Sequence, residues 1–369
     1  MASPNAVRWF NIAQRDPVSS LLHRLGIVAA FAISGTFLLL AFHNVDWAGT
    51  RRALLGANYV LVLLGAMVGL GGFIVRAFGW KFLLAPVEHL SGWRLFPPVA
   101  IGYMANNLLP ARLGEFARAY VVGKREGVSK SAALATIVVE RLFDALTLLV
   151  ILAVVSLSLP FAPWVGRGGI LVAAAILTLS LALALVATKT DWALRVIDFV
   201  LRPFLPGMAV RTKSWLCNFV FGLDIKHHYP TFILALACTV LRWTFEACIY
   251  LSAIYALRLA DQVPILGALV VMVAVNIACM MPQAPGFVGA VQIACVEALG
   301  MFGVDRESAV AYSFLVHAAF FLPITLIGIF CLAYTRLGFA EIRKGGASVA
   351  SGDLATTWGR SSENQKAIS

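Results

Sequence analysis

Charged side chains are scarce in this chain of 369 residues. They make up 13% of the sequence, whereas hydrophobic residues make up 60% and the mean hydropathy is +0.87. A soluble domain normally carries about a quarter charged residues. The composition therefore excludes an ordinary water-soluble globular protein, and we expect a membrane protein.

The sequence also lacks the motifs that mark common catalytic and metal sites. Its six cysteines show no CxxC spacing and no Cys/His ligand pattern, so we expect no metal and no cofactor. The nucleophile elbow, the zinc-protease motif, the Walker A motif and the Rossmann glycine fingerprint are all missing. These absences favour a protein that is not an enzyme and does not hydrolyse ATP.

No basic patch accompanies the net charge of +11. Lysine and arginine are scattered singly between apolar runs, without a nucleic-acid recognition motif, so we expect no nucleic-acid partner. Anionic lipid and membrane topology explain the positive charge better.

Long apolar runs are what the sequence has in abundance. A helix needs about 20 apolar residues to cross the hydrocarbon core, and six runs meet that requirement. A polar segment, residues 1–24, precedes the first run, and no small-residue cleavage site follows it, so we expect this run to remain as an anchor. The predicted spans are residues 25–42, 57–75, 131–159, 169–187, 231–257 and 308–334, within a membrane domain of residues 25–335.

Two further apolar regions, 97–122 and 264–301, contain helix breakers. The first is interrupted at Pro110 and the second at Pro282 and Pro285. We interpret each as two half-helices joined by unwound backbone, which membranes tolerate only where protein or water satisfies the backbone polar groups. The alternative is a pair of ordinary spans joined by a proline-containing loop.

Basic residues concentrate in alternate connections of the chain. They lie in the N-terminal segment, in residues 76–130 and 189–226, and in the tail, residues 336–369. The positive-inside rule then places both termini in the cytoplasm, and we expect a bacterial cytoplasmic membrane protein. The Pro110 hairpin would open from the cytoplasm and the Pro285 hairpin from outside. The polar tail is expected to be disordered.

An internal repeat is indicated by residues 127–141 and 303–317, which align without a gap and share a Gly, a Val and two Ala. The order of span, broken hairpin, Gly-Val loop and long span also recurs, in repeats of about 57–159 and 231–334. Inverted repeats with broken helices are a transporter plan. The predicted fold class is an all-α integral membrane protein, an inverted-repeat bundle with six full spans and two broken hairpins.

Three charged residues, Glu140, Arg141 and Asp144, lie inside one predicted span. Charge inside a span is costly and tends to mark a pathway. The spacing lets Arg141 pair with Asp144 and puts the two carboxylates on one face. The group is either a self-neutralising structural cluster or a site for a lipid headgroup or a proton.

Arg112 and Glu115 follow the first break directly. The free N–H groups of a half-helix beside an arginine fork suit a lipid phosphate. Alternatively, Arg112 extends to headgroups at the cytoplasmic interface. Asn106 and Asn107 either donate to phosphate or glycerol oxygens or cap the half-helix.

The second half of the chain has fewer candidates. Arg242 and Glu246 lie four residues apart and suit an intrahelical ion pair. Glu297 is the acid of the second hairpin and is a candidate for coupling to protons or to a cationic headgroup, unless it lies in water at the interface. His317 occupies the repeat position of Arg141 and is either a ligand or a packing residue.

The stretch NLLPARLGE, residues 107–115, followed by VERLFD at 139–144, resembles the signature of the lysylphosphatidylglycerol synthase transmembrane region, a flippase-like domain. PQAPG at 282–286 resembles its second motif. The resemblance spans about 57–334 and implies the lipid-handling part of that family without its aminoacyltransferase domain. In this sequence the family pattern covers Asn107, Pro110, Arg112, Gly114, Glu115, Glu140, Arg141 and Asp144, and then Pro285, Gly286 and Gly289.

A lipid flippase for a phospholipid or a lipid-linked headgroup is the function these patterns favour. One alternative is a membrane-embedded transferase in which Glu140 or Asp144 acts as general base on a lipid substrate. Another is a scaffold whose partners are lipid-synthesis enzymes.

Overall fold

The computed structural model describes residues 17–109, 112–158, 178, 190–201, 229–281 and 283–350, and all regular elements in these ranges are helical. A short 3-10 turn, Pro285–Phe287, precedes α10. The α-helices in chain order are α1 (Pro17–Phe42), α2 (Trp47–Leu55), α3 (Tyr59–Leu84), α4 (Gly92–Leu108), α5 (Gly114–Glu126), α6 (Lys130–Ser158), α7 (Thr190–Leu201), α8 (Tyr229–Ala256), α9 (Ile265–Cys279), α10 (Ala290–Gly300), α11 (Arg306–Thr335) and α12 (Phe339–Ala350).

Three helices of the described ranges are long and apolar enough to cross a membrane, namely α3, α8 and α11. A fourth span results if α1 and α2, which meet at a bend of 84°, are counted together. The all-helical membrane class is therefore confirmed. The finer prediction, six full spans in an inverted repeat, is not confirmed by these helices and stays a prediction. The predicted span 169–187 lies outside the described residues except for Thr178.

Helix α6 is as long as a span but carries charge in its middle. Its 29 residues include Glu140, Arg141 and Asp144, and the two carboxylates are buried. Buried charge requires partners of opposite sign. The helices that surround α6 supply these partners, as described below.

Small residues allow α3 and α8 to pack closely. A Cβ atom added at Gly65 would lie 1.9 Å from Ser252 Oγ, and one at Gly69 would lie 2.4 Å from Ile249 Cδ1. Close backbone approach of this kind is how helices associate where lipid offers no hydrophobic driving force. The contact holds α8 beside α3 along much of its length.

The two regions with helix breakers each form a pair of short helices that fold back on themselves. In the first pair, α4 and α5, Arg94 near one end forms an ion pair with Glu126. At the other end Asn106 accepts a hydrogen bond from the Gly114 N–H at 2.7 Å. In the second pair, a Cβ added at Gly267, early in α9, would lie 3.3 Å from the Phe302 ring, just past α10. Both pairs are thus antiparallel hairpins.

Two of the prolines assigned to the breaks, Pro110 and Pro282, lie outside the described residues. Pro285, Gly286 and Gly289 are described. Gly286 has φ +81° and Gly289 has φ +93°, a conformation that glycine adopts without a Cβ clash. These two glycines let the chain turn sharply from the 3-10 segment into α10.

The tail requires a correction, because residues 339–350 form helix α12 where disorder was expected. The helix packs along α5, where Glu341 accepts a hydrogen bond from Tyr120 Oη at 3.0 Å and forms an ion pair with Lys124. Its glycines permit the contact, since a Cβ at Gly345 would lie 2.4 Å from the Tyr120 ring. The polar composition that suggested disorder fits a helix whose buried face exists only against α5. Residues 351–369 lie outside the described ranges.

Candidate functional site

A cavity of about 220 Å³ lies where the two hairpins meet α3, α6, α8 and α11. Aromatic side chains such as Tyr103, Trp243 and Phe287 form part of its wall. Its charged lining residues are Arg76, Arg112, Glu115, Arg141, Asp144, Arg242 and Glu246. A partly apolar cavity with converging polar groups is the usual form of a ligand site.

Glu140 is the centre of a buried ion-pair network behind the cavity. Its Oε1 accepts from Arg76 Nε at 2.7 Å and from Arg118 Nη1 at 2.9 Å. Its Oε2 accepts from Arg118 Nη2 at 2.7 Å, so the Arg118 pair is bidentate. The Arg118 guanidinium also stacks on the Trp80 ring at 3.7 Å. One carboxylate of α6 is thereby tied to α3 and α5.

Asp144 extends the network to α8. Its Oδ1 accepts from Arg242 Nη2 at 2.8 Å, and its Oδ2 forms an ion pair with Arg76. Arg242 Nη1 in turn donates to Glu246 Oε2 at 2.7 Å, which is the intrahelical pair that their spacing predicts. Asn276 on α9 donates to Glu246 Oε1 at 2.9 Å. The network therefore joins α3, α5, α6, α8 and α9.

Arg141 differs from the other arginines of the network. Its side chain is 40% exposed, whereas those of Arg76 and Arg118 are 3% exposed. Its contacts are also the longest, 3.2 Å to Glu140 Oε1 and 3.4 Å to Asp144 Oδ2, and its Nε has no acceptor among the described residues. Arg141 thus keeps donor capacity that a ligand in the cavity can use.

Arg112 belongs to the first break and contacts residues of the second. Its backbone has φ +51°, its Nη2 donates to the Cys279 carbonyl oxygen, and its guanidinium lies 5.7 Å from the centre of the Phe287 ring. A second cavity of about 240 Å³ lies between the breaks, and both Arg112 and Asn106 line it as well as the first. The hairpin breaks therefore face each other.

The two asparagines of the first break have separate partners. Asn106 Oδ1 caps α5 through the Gly114 N–H, and its Nδ2 donates to Glu115 Oε1 at 3.3 Å. Asn107 Nδ2 donates to Thr325 Oγ1 on α11 at 2.8 Å. Both also line the cavity. Capping and cavity lining are combined at Asn106, as the sequence allowed.

Two candidate site residues of the second half of the chain, His317 and Glu297, lie in different places. His317 lines the cavity, and its Nε2 donates to the Gly286 carbonyl at 2.8 Å while its Nδ1 accepts from Gln292 Nε2 at 3.0 Å. Gln292 Oε1 accepts from the Gly289 N–H at 2.7 Å. His317 thus supports the second break. Glu297 lies exposed on α10 and is not among the cavity lining.

Four residues of the cavity and its ion-pair network were missed by sequence reasoning: Arg76, Arg118, Trp243 and Asn276. Arg76 and Arg118 were counted with the basic cytoplasmic region, because an arginine near the end of an apolar run normally marks topology. Their pairing with α6 is a tertiary contact across 64 and 22 residues. One signal was present in the sequence: two carboxylates inside a span require cations from other helices.

Comparison with known proteins gives a consistent set of matches. The family model described as the lysylphosphatidylglycerol synthase TM region matches residues 27–328. A UPF0104 membrane protein of Methanothermobacter thermautotrophicus is 22% identical over 330 residues, which is 85% of this chain and 95% of that protein. A UPF0104 membrane protein of Methanocaldococcus jannaschii is 28% identical over 115 residues, 30% of this chain and 34% of that protein.

A third relative, named glycosyltransferase AglD, comes from Haloferax volcanii and is 27% identical over 142 residues. The match covers 38% of this chain and 22% of that protein. The chain therefore spans about a third of the M. jannaschii relative and about a fifth of the H. volcanii relative, but nearly all of the M. thermautotrophicus relative.

Proposed function

Because this chain belongs to the family of the lysylphosphatidylglycerol synthase TM region, we propose that it is a membrane carrier that moves a phospholipid or a lipid-linked headgroup between leaflets. The observation that carries the proposal is Arg141, an arginine with unused donors that lines the cavity beside the paired charges of Arg76, Asp144 and Arg242. An arginine fork of this kind recognises phosphate oxygens.

In the proposed mode of binding, only the polar headgroup enters the cavity. Arg141 and Arg112 hold the phosphate from two sides, and the aromatic wall contacts the glycerol region. The acyl chains remain in the bilayer, where they need no protein contact. The buried network around Glu140 keeps α3, α5, α6 and α8 in fixed positions, so that the phosphate ligands are preorganised.

The direction of charge movement follows from the topology that we propose. Both termini lie in the cytoplasm of a cytoplasmic membrane, and the two hairpins open to opposite sides. With the cytoplasm negative, the membrane potential favours outward movement of an anionic headgroup by about 2.3 kcal/mol per charge per 100 mV. The flipping rate of an anionic lipid should therefore change when a potential is imposed on proteoliposomes.

The transferase alternative has one supporting observation, the glycosyltransferase name of the H. volcanii relative. The hydrogen bonds of the two candidate general bases are evidence against a transferase. Glu140 and Asp144 each accept hydrogen bonds from at least two arginines, which stabilises the carboxylate and makes it a poor proton acceptor. A scaffold that binds lipid-synthesis enzymes would not require the unused donors of Arg141.

A reconstitution assay tests the proposal. Purified protein in liposomes should expose a fluorescent phospholipid of the inner leaflet to a membrane-impermeant quencher, and Arg141→Ala should abolish this. Arg52→Ala is the matched control, because Arg52 pairs with Asp46 at an exposed site on α2. Chemical modification of the lipid without translocation would support the transferase instead.

A further inference from the structure

We infer that the cavity selects a headgroup with one net negative charge, such as a phosphodiester with uncharged substituents, and that Arg242 and Trp243 take part in binding it. The inference rests on the proposed function and names its substrate class. Three observations carry it: the balance of charge, the chemistry of the unsatisfied groups and the occupation of the carboxylates.

The charge of the cavity lining is unbalanced by one. Four arginines face three carboxylates among the lining residues, which are Arg76, Arg112, Arg141 and Arg242, and Glu115, Asp144 and Glu246. The buried pair behind them, Arg118 with Glu140, adds one charge of each sign. Arg112 and Arg141 are the least buried arginines of this set, so the excess positive charge lies where an anionic ligand can reach it. A single negative charge on the ligand restores neutrality.

Among the described residues that line the first cavity, the buried side-chain atoms without a partner are all donors. Arg141 Nε, Arg242 Nε and Trp243 Nε1 are buried and have no acceptor among the described residues. Trp243 is 5% exposed, and the Arg242 guanidinium lies 4.0 Å from the centre of its ring. A buried N–H without an acceptor is unfavourable. Phosphodiester oxygens are acceptors only, so they complement these donors, whereas a primary ammonium group would add donors.

The carboxylates of the wall are already occupied. Asp144 accepts from arginines of α3 and α8, and Glu246 accepts from Arg242 and Asn276. Glu115 accepts from the Asn106 amide, and it lies three residues from Arg112. A cationic headgroup would have to displace an arginine from one of these pairs or bind beside Arg112. The cavity therefore disfavours a lipid with a net positive charge.

Flipping assays with three lipids of identical acyl chains test the selection. The lipids are fluorescent phosphatidylglycerol, phosphatidylcholine and lysylphosphatidylglycerol, with net charges of −1, 0 and +1. We expect phosphatidylglycerol to move about tenfold faster than the others, because their additional cation finds no free carboxylate in the cavity and one unpaired charge changes affinity by at least that order. Equal rates, or a faster cationic lipid, would overturn the inference but leave the carrier intact. Movement of none of them by folded, reconstituted protein would overturn the proposed function itself.

A tryptophan variant tests the part played by the second half of the chain. Trp243→Phe keeps an aromatic ring but removes the indole N–H. It should lower the flipping rate of phosphatidylglycerol several-fold, by about the effect of one hydrogen bond. Trp93→Phe is the control, because Trp93 is 64% exposed and packs edge-on against Phe78 away from the cavity. Both variants should elute as monodisperse protein and unfold at the wild-type temperature. An unchanged rate for folded Trp243→Phe would remove Trp243 from the binding site.

Discussion

Arg112, which follows the first helix break, donates from its Nη2 to the backbone carbonyl of Cys279, the last residue of the helix before the second break. The same carbonyl accepts from Gln283 Nε2 at 2.9 Å, so side chains of both breaks satisfy this helix end. The same guanidinium lines both cavities. In the proposed mode of binding, a headgroup phosphate on Arg112 would compete with Cys279 for its donors and would alter this contact between the two breaks.

Arg112→Ala should reduce lipid flipping by about tenfold to a hundredfold, because charge-assisted hydrogen bonds contribute about 1.5–3 kcal/mol. The effect on stability should be small, since Arg112 is exposed and lies outside the buried network. Arg112→Lys should give an intermediate rate, because lysine keeps the charge but not the planar fork. Initial flipping rates in proteoliposomes measure this, with Arg52→Ala as control. Wild-type rates for Arg112→Ala would exclude it as a phosphate ligand.

Glu140→Gln should destabilise the protein by about 3–5 kcal/mol, because it leaves Arg118 buried without a carboxylate and leaves Arg76 with Asp144 alone. Thermal unfolding in detergent, with denaturant series for the free energy, measures the loss. Glu297→Gln makes the same chemical change at an exposed site on α10 and should stay within about 0.5 kcal/mol.

The same network should be strongly non-additive. Arg118→Gln combined with Glu140→Gln should cost less than the sum of the single changes, because each single change strands the partner. Additive losses would mean that the two residues do not stabilise each other.

The Glu297→Gln variant also tests the predicted coupling role of Glu297. If this variant flips lipid at the wild-type rate at every pH, Glu297 does not couple transport to protons.

Sequence reasoning located the helices where length and hydropathy decide the outcome. The runs at 57–75, 231–257 and 308–334 correspond to α3, α8 and α11, because an apolar segment of that length has few alternatives to a helix. It also singled out the first break and α6, which both line the cavity, since charge inside an apolar helix needs a specific partner.

The partners themselves could not be read from the sequence. Whether Glu140 binds Arg76, Arg118 or Arg141 depends on which helices lie side by side, and all three are within reach in the folded chain. The spacing predicts a pair of Arg141 with Asp144, which lie 3.4 Å apart, but it gives no partner for Glu140. Helix α12 was missed for the same reason, because its buried face is defined by the surface of α5.

Gly65→Ala should destabilise the protein by about 1–3 kcal/mol, because the added methyl overlaps Ser252 and forces α3 and α8 apart. Gly35→Ala is the matched control on α1, where nothing lies within 4 Å of the added Cβ. There the substitution should be neutral or stabilise the helix by about 0.5–1 kcal/mol, since alanine has the higher helix propensity. Unfolding temperatures in detergent compare the two, and equal values would argue against close α3–α8 contact.

Docking of α12 on α5 should depend on the charge of Glu341. Hydrogen bonds from Lys124 and Tyr120 lower the pKa of Glu341 below its ordinary value of 4.5. Since the folded-state pKa is depressed, this contribution to docking is complete above pH 4.5 and is lost as the pH falls through the lowered value. Lys124 and Tyr120 keep their protons throughout this range, so Glu341 is the group of the contact that titrates.

Hydrogen-exchange protection factors of the α12 amides should therefore be high at neutral pH and decline in acid below pH 4.5, where the Glu341 carboxylate becomes protonated. Glu341→Gln should lower protection at neutral pH and remove the decline, because glutamine has no charge to lose. Arg343→Gln changes an exposed residue of the same helix and should preserve the wild-type profile. If Glu341→Gln kept the wild-type decline in acid, another carboxylate would control α12, and the contact with Lys124 would be incidental to its docking.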